Sequence, residues 1–475
     1  MRHTDFSRGV FCNRTLNMNS IRAIGYDMDY TLVHYHMEAW EDRAYTYIRD
    51  SLEAEGWPVR ELTFDPGLVM RGLIIDTEYG NVVKANRFGY IKRAFHGTQS
   101  LSFETQRRIY QRTLVNLSAP RWVFLNTLFS ISEACLYMQL VDLLDQGKLG
   151  GRMGFADLYR HVKRTLDQAH MEGKLKAEVA AAPEHFVDLD EEVPLALLDQ
   201  KEAGKKLLLI SNSEWAYAAS MLSYAFDRFL PQGMTWRDLF DIAIVGATKP
   251  DFFSVRVPAF ELVSHDGLLR EHQGLLKNGH VYIGGNASLV EESLRLKGEE
   301  ILYVGDHIFV DVNISKSILR WRTALVIREL EEEIAAVQGF APQQLEISGL
   351  MEKKEEIESR YASVRLELQR LRHGRNSPSG RSTEELEHEM VRLHRLIEEL
   401  DGRISPLAQS AAQLLNPNWG LLMRTGIDKS HLARQVERYA DIYTARVSNF
   451  FHLTPLAFFR SHRGSLPHDP TIGRF

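Results

Sequence analysis

A chain of 475 residues is too long for one simple core, so two or three compact units are expected. Its 44% hydrophobic, 25% charged and 10% aromatic residues fit a soluble globular protein and exclude long disorder, and a net charge of −6 excludes the global basic field of a nucleic-acid-polymer binder. Two cysteines, Cys12 and Cys135, lack metal-ligand spacing and exclude a disulfide framework; the opening "MRHTDFSRGVF" has no secretory apolar core, and no stretch has the ~20 consecutive apolar residues of a membrane span, so a cytoplasmic protein without membrane attachment is expected.

In chain order, apolar strand-like runs end repeatedly in polar residues: "IRAIGYD", "KKLLLISNS", "FDIAIVGATK", "EEILYVGD" and "TALVIRE". Helical patterns lie between them, which predicts an α/β fold with a doubly wound, Rossmann-like parallel sheet. Ligands of such sheets sit beyond the carboxyl ends of the strands. The first two runs are about 180 residues apart, where an ordinary crossover needs a dozen or so. A cap inserted over residues 35–199 is therefore expected, with a small meander over 68–95 and helices near 101–117, 133–146 and 153–172. The core comprises 1–34 and 200–345, with 405–475 packing as C-terminal helices. Over 346–404, Ile357, Tyr361, Val364, Leu368 and Leu371, then Leu386, Met390, Leu393, Ile397, Leu400 and Ile404, follow 4,3 spacing around the breaker "HGRNSPSGRS". Ser382 and Glu385 form a capping-box pattern, and a charged antiparallel helical hairpin is predicted. Each run is short for a free coiled coil, so packing of the hairpin on its own chain is expected at least as much as an oligomer contact.

In "GYDMDY", Asp27 and Asp29 face the same way from an extended segment. Two such charges about 4 Å apart repel by roughly 4 kcal/mol at an effective dielectric of 20. Taken alone, the pair is equally an Asp-rich turn. Asp306 follows another strand, and Asp311 lies five residues on. Four carboxylates converging on one crevice require a hard dication, for which Mg²⁺ is the candidate. Ser211 and Asn212 of "LLLISNS" and Lys249 of "GATKP" end the intervening strands and offer donors to a phosphoryl group.

The order "DMDYTL", "LLLISNS", "ATKP", "YVGDHIFVD" resembles the four signature motifs of the haloacid dehalogenase-like (HAD) phosphohydrolases. The resemblance implies that Asp27 is the nucleophile and Asp29 the general acid and base. It also implies that Ser211 and Lys249 hold the phosphoryl group, and that Asp27, the main-chain carbonyl of Asp29 and Asp306 bind Mg²⁺ with Asp311 orienting that site.

A closer likeness lies in "VFCNRTLNMNSIRAIGYDMDYTL", "RGLIIDTEYGNVVKANRFG", "LNTLFSISE" and "MRTGIDKSHLARQVERYADIYTARVSNF". These stretches resemble the cytosolic purine 5′-nucleotidases that prefer IMP and GMP. The resemblance implies base and ribose contacts from Asn126, Phe129, Asp167, His170 and Lys176, the last three within "HVKRTLDQAHMEGKLK". Lys163 stands where that family commonly has an arginine, and Ser130 where an asparagine is usual; both bear on base preference. Phosphotransfer to a nucleoside hydroxyl and a homo-oligomer are implied in the same way. Two other readings remain at this stage: a HAD phosphatase for another small ester such as a sugar phosphate, and a non-catalytic assembly protein on a HAD scaffold.

Overall fold

The structure is a computed structural model describing residues 5–150, 153–171, 173–264, 266–376 and 379–461, with the side chains of 169–171 outside the description. Residues 1–331 with 422–475 form one compact unit, and 332–421 a second.

The first unit is built on a ten-stranded sheet. Its strands are β1 (Val10–Cys12), β2 (Ala23–Tyr26), β3 (Lys206–Ile210), β4 (Ile242–Val245), β5 (Ala259–Leu262), β6 (Leu269–Glu271), β7 (His280–Gly284), β8 (Ile301–Gly305), β9 (Arg322–Val326) and β10 (Ile442–Thr444). Their spatial order is β1-β10-β9-β8-β2-β3-β4-β7-β5-β6. The run from β10 to β7 is parallel, and β1, β5 and β6 add antiparallel edges. Every residue of β2 and β8 is buried, as central parallel strands covered on both faces require. The predicted parallel α/β sheet is therefore present. From β2 the chain order runs outward on both sides, to β3 and β4 one way and β8 and β9 the other. The residue after β2 thus sits at a topological switch point, where a crevice opens.

The segment between β2 and β3 carries helix α1 (Met37–Ala54) and a second, five-stranded sheet with strands Ile74–Asp76, Asn81–Ala85, Ile91–His96, Gln99–Ser100 and Trp122–Phe124. It continues with α2 (Ile131–Asp145), α3 (Phe155–Met171) and α4 (Lys174–Ala181) before the chain returns to β3; α5 (Trp215–Phe226) then follows that strand. Helix α2 is buried almost all round, from Ile131 through Val141, which suits a helix enclosed by other elements rather than a surface one.

The C-terminal part of this unit, expected as helices alone, also supplies β10, which pairs with β9 and with the first strand of the sheet. Three residues are too few for a readable period, so the sequence pattern did not disclose it.

The second unit contains α6 (Ala341–Arg372) and α7 (Thr383–Ala412), packed through buried Val364, Leu368, Leu386 and Leu393. Ile357, Tyr361, Leu371 and Met390 flank that seam, and the Ser382–Glu385 capping box is formed. Among the described residues, no helix is long and apolar enough to cross a membrane.

Candidate active site

The strand ends bring their polar residues to one crevice. Asp27 leaves β2 with its N–H donating to the Val304 carbonyl at 2.9 Å, so β8 fixes where the carboxylate begins. The loop behind it closes as the Met28 carbonyl accepts from the N–H groups of Thr31, Leu32 and Val33 at 3.2, 2.9 and 2.9 Å. Asp306 follows β8, and Asp311 lies on the π-helical turn Ile308–Asn313. One carboxylate oxygen from each of Asp27, Asp306 and Asp311 falls within 4.8 Å of the others.

Lys249 comes to the same point from beyond β4. Its ammonium lies 2.8 Å from Asp27 Oδ1 and 2.8 Å from Asp311 Oδ1, and donates to the Tyr303 hydroxyl at 3.0 Å. Tyr303 in turn donates to the Ile210 carbonyl at 3.0 Å. Two glycines make room for this stack. A Cβ on Gly25 would meet the Tyr303 ring at 2.9 Å, and one on Gly305 would meet the Asp311 carboxylate at 2.5 Å. Asn212 and Lys249 tie their loops together, with the Lys249 N–H donating to Asn212 Oδ1 at 2.6 Å and Asn212 Nδ2 donating to the Lys249 carbonyl at 3.0 Å.

Burial pushes Asp27 up to about 7, helped by the Asp311 and Asp29 charges and opposed by Lys249. Burial likewise carries Asp306 well above the usual carboxylate range, with Asp311 and Asp27 adding to the rise and Arg71 opposing it. Burial alone would lower Lys249, but Asp27 and Asp311 outweigh it and hold the ammonium well above its ordinary value. The carboxylates of half-buried Asp27 and of buried Asp306 and Asp311 meet beside Lys249, with Arg71 close to Asp306, and this oxygen donor set fits a hard dication such as Mg²⁺.

Asp29 stands apart from that cluster. Its Oδ1 accepts from the Tyr35 hydroxyl at 2.6 Å and its Oδ2 from Ser213 Oγ at 2.5 Å. Tyr217 on α5 donates to the Tyr35 oxygen at 2.9 Å, and Lys176 on α4 donates to Ser213 Oγ at 2.8 Å while lying 4.0 Å from Asp29 Oδ2.

A cavity of about 1100 Å³ opens above these groups, lined by Asp27, Asp29, Asn212, Ser213, Lys249, Asp306 and Asp311 on the sheet side. Trp40, Phe129, Ser130, Glu133, Lys163, Leu166 and Lys176 line it from the inserted segment. Phe129 is set edge-on against Tyr30 and Trp40, with ring centres 4.7 and 5.5 Å away. Glu133 is raised by burial and drawn back by Lys163, whose ammonium is 3.7 Å from Oε2 and 2.8 Å from Asp167 Oδ1.

Of the residues expected from sequence, Asp27, Asp29, Asn212, Lys249, Asp306, Asp311, Phe129, Lys163 and Lys176 line this cavity. Ser211 does not; its side chain is buried beneath the loop and accepts from the Ser213 N–H at 3.1 Å, leaving the wall to Asn212 and Ser213. Asn126 and Asp167 are also outside the lining. Asn126 donates to the Phe124 carbonyl at 3.4 Å, and Asp167 is engaged by Lys163. Lys176, expected at the base, lines the cavity with its ammonium 4.0 Å from Asp29 Oδ2. His170 falls on the last turn of α3 with its side chain outside the described residues. Sequence reasoning passed over Tyr35, Tyr217, Ser213, Tyr303, Glu133 and Arg71. Arg71 is buried and donates to the Asp306 carbonyl at 3.4 Å and to Glu329 at 2.7 Å. Only Ser213 carried a signal, since it lies two residues from Ser211 and so on the same side of an extended segment.

Comparison with known proteins adds to this geometry. The 5′ nucleotidase family model matches residues 10–471. A 5′-nucleotidase domain-containing protein of Dictyostelium discoideum is 24% identical over 472 residues, covering 97% of this chain and 74% of its own length. Among solved structures, the archaeal β-phosphoglucomutase of Pyrococcus sp. strain ST 04 aligns at TM-score 0.28 and 12% identity, over 65% of this chain and 87% of the other. A predicted phosphoglycolate phosphatase from Haemophilus somnus 129PT aligns at TM-score 0.28 and 13% identity, over 65% and 86%. At those scores the solved structures carry no part of the assignment, which rests on the match along nearly the whole chain. By that match the chain belongs to the 5′ nucleotidase family and is a phosphoric monoester hydrolase.

Proposed function

We propose that this chain is a Mg²⁺-dependent 5′-nucleotidase that hydrolyses purine nucleoside monophosphates of the IMP or GMP type to nucleoside and phosphate. The observation that carries the reading is the meeting of Asp27, Asp306 and Asp311 with Lys249 at the switch point of the sheet, under a cavity roofed by Phe129. In this reading residues 1–34 and 200–345 are the catalytic core and 35–199 the cap.

An Asp27 oxygen attacks phosphorus, forming an aspartyl-phosphate as the bond to the 5′ oxygen breaks, and Asp29 delivers its proton to that leaving oxygen. Asp29, now a carboxylate, takes a proton from water as the water oxygen attacks phosphorus and the Asp27–phosphorus bond breaks. One residue can serve as acid and then base because the first step leaves it deprotonated. Tyr35 and Ser213 hold Asp29 by both oxygens, which supports its aim at one place throughout. Lys249 and Asn212 orient the phosphoryl oxygens, with Ser211 supporting the loop by accepting from the Ser213 N–H. Asp27, Asp306 and the Asp29 carbonyl would hold Mg²⁺, with Asp311 orienting them, and the bound ion would supply positive charge to stabilise the phosphoryl oxygens. Capture of the aspartyl-phosphate by a nucleoside hydroxyl in place of water gives phosphotransfer.

A panel of phosphate esters with and without Mg²⁺ tests the assignment. Turnover of IMP and GMP that requires Mg²⁺ is expected; turnover of sugar phosphates with none of IMP or GMP refutes the purine reading.

A further inference from the structure

We propose that Arg71 and Thr127, both carried by the inserted segment, are positioning residues for Asp306, so that seating of this segment on the sheet and binding of the dication are linked. The inference deepens the proposed function and rests on its reading of Asp306 as a metal ligand.

Two supports reach Asp306 from far along the chain. Arg71 Nη1 donates to its carbonyl and Thr127 Oγ1 to its Oδ2, each at 3.4 Å, from 235 and 179 residues away. These contacts are long for hydrogen bonds, so each orients Asp306 more than it binds it. One ladder delivers both residues. The strand Ile74–Asp76 pairs antiparallel with Trp122–Phe124, and beyond them the Gly72 N–H donates to the Leu125 carbonyl at 2.6 Å and the Leu125 N–H to the Leu73 carbonyl at 2.9 Å. Arg71 and Thr127 therefore leave the same end of that ladder. Gly72 makes the turn, with a φ of +89° and a Cβ position only 3.0 Å from the Leu432 side chain. The Thr127 oxygen accepts from the Phe129 N–H at 3.4 Å, which leaves its one proton for Asp306.

The Arg71 side chain is 2% exposed and outside the cavity wall, so it does not meet substrate. Its guanidinium could pair with both oxygens of Glu329, which lies just beyond β9, the parallel neighbour of β8. Instead Nη2 alone donates to Glu329 Oε2 at 2.7 Å, Glu329 Oε1 has no partner among the described residues, and Nη1 turns to Asp306. The fork thus bridges the carboxyl ends of two adjacent strands where the carboxylates meet. Residues behind a metal ligand in this way change metal affinity by about 10–100-fold when removed. By linkage, a dication that binds better to the seated segment also seats it more firmly.

The test titrates Mg²⁺ alone into the protein near pH 8 by isothermal titration calorimetry. It compares wild type, Thr127→Val, and a paired variant, Arg71→Met with Glu329→Gln, which removes the ion pair without changing net charge. Both variants are expected to raise the Mg²⁺ Kd about tenfold or more. Arg43→Met, which breaks the Arg43–Glu178 pair of the inserted segment at 2.8 Å, is the control and is expected to keep the wild-type Kd. Hydrogen exchange reads the linkage from the other side: Mg²⁺ is expected to slow exchange of the Gly72 and Leu125 amides in wild type, and to do so less in Thr127→Val. An unchanged Kd in Thr127→Val overturns the proposal, as does an equal rise in Arg43→Met or exchange at those amides that Mg²⁺ leaves unaltered in wild type. If the paired variant fails to fold, Thr127→Val carries the result. A wild-type protein that binds no Mg²⁺ overturns the metal reading of the site and this inference with it.

Discussion

Lys249 Nζ and Asp311 Oδ1 are 2.8 Å apart, and both side chains are almost wholly buried. Removing one partner of such a pair costs roughly 3–5 kcal/mol because the other is left charged and unpaired. Lys249→Met is therefore expected to lower urea-unfolding stability by that order, with part of the loss recovered on adding Mg²⁺. Turnover should fall by about 10²–10³-fold or more, the scale of losing one charge-stabilising donor. Unchanged stability would mean that the ammonium does not balance the carboxylates.

Asp27→Asn keeps the shape of the nucleophile and removes its charge. Burial already disfavours that charge, so the variant should melt no lower than wild type while losing measurable turnover. Appreciable remaining activity rules out Asp27 as the attacking group.

In the metal-free protein, Asp27 is pushed up to about 7 by burial from an ordinary 3.8, and Asp306 is raised in the same direction. The folded state then binds more protons than the unfolded chain between those values, so stability contributed by the neutral carboxyls is lost as pH rises toward 7. A dication needs the ionised groups, so protons compete with it. Differential scanning fluorimetry should show Mg²⁺ raising Tm by several degrees near pH 8 and by little near pH 5.5; the opposite order would exclude these carboxylates as its ligands.

Tyr35 donates to Asp29 at 2.6 Å and is backed by Tyr217 at 2.9 Å. A hydrogen bond to a charged group contributes about 1.5–3 kcal/mol, so Tyr35→Phe is expected to lower kcat about tenfold or more. KM should change little, because the hydroxyl orients the acid and base rather than the substrate. A change in KM alone would place Tyr35 in binding instead.

Glu41 on α1 is fully buried, accepts from the Ser132 N–H at 2.7 Å, and is pushed by burial up to about 7 from 4.5. The sign is again that of a neutral group: its contribution is present below pH about 4.5 and lost as pH rises to about 7. A rise of this size corresponds to about 3 kcal/mol. Glu41→Gln should stabilise the protein by that order near pH 8 and scarcely at pH 4, read by urea unfolding at both. Equal effects at the two values would show that Glu41 ionises freely.

The convergence of Asp27, Lys249, Asp306 and Asp311 was legible because parallel strands deliver their carboxyl ends to one edge, so a polar residue after each apolar run falls in one place. The hairpin was legible through its 4,3 spacing and the Ser382–Glu385 cap. Contacts that join distant segments side chain to side chain were not. Nothing in "VHY" or "WAYA" announces that Tyr35 and Tyr217 meet over Asp29, nor does "ILYVG" announce that Tyr303 props Lys249. The choice between Ser211 and Ser213 turned on how the loop leaves β3, which a period of two leaves open. Lys163 and Asp167 share a helix face by spacing alone, yet the face turned to the cavity includes Lys163 and leaves Asp167 outside.

The pairing of β1 with β10 has a consequence for biosynthesis. Strand β1 emerges from the ribosome early, but its neighbour in the sheet comes only with residues 442–444. Until then β9 presents an unsatisfied edge, the kind of surface on which nascent chains pair with one another. That edge stays open through the whole interval between translating β9 and β10, during which the long charged hairpin is made.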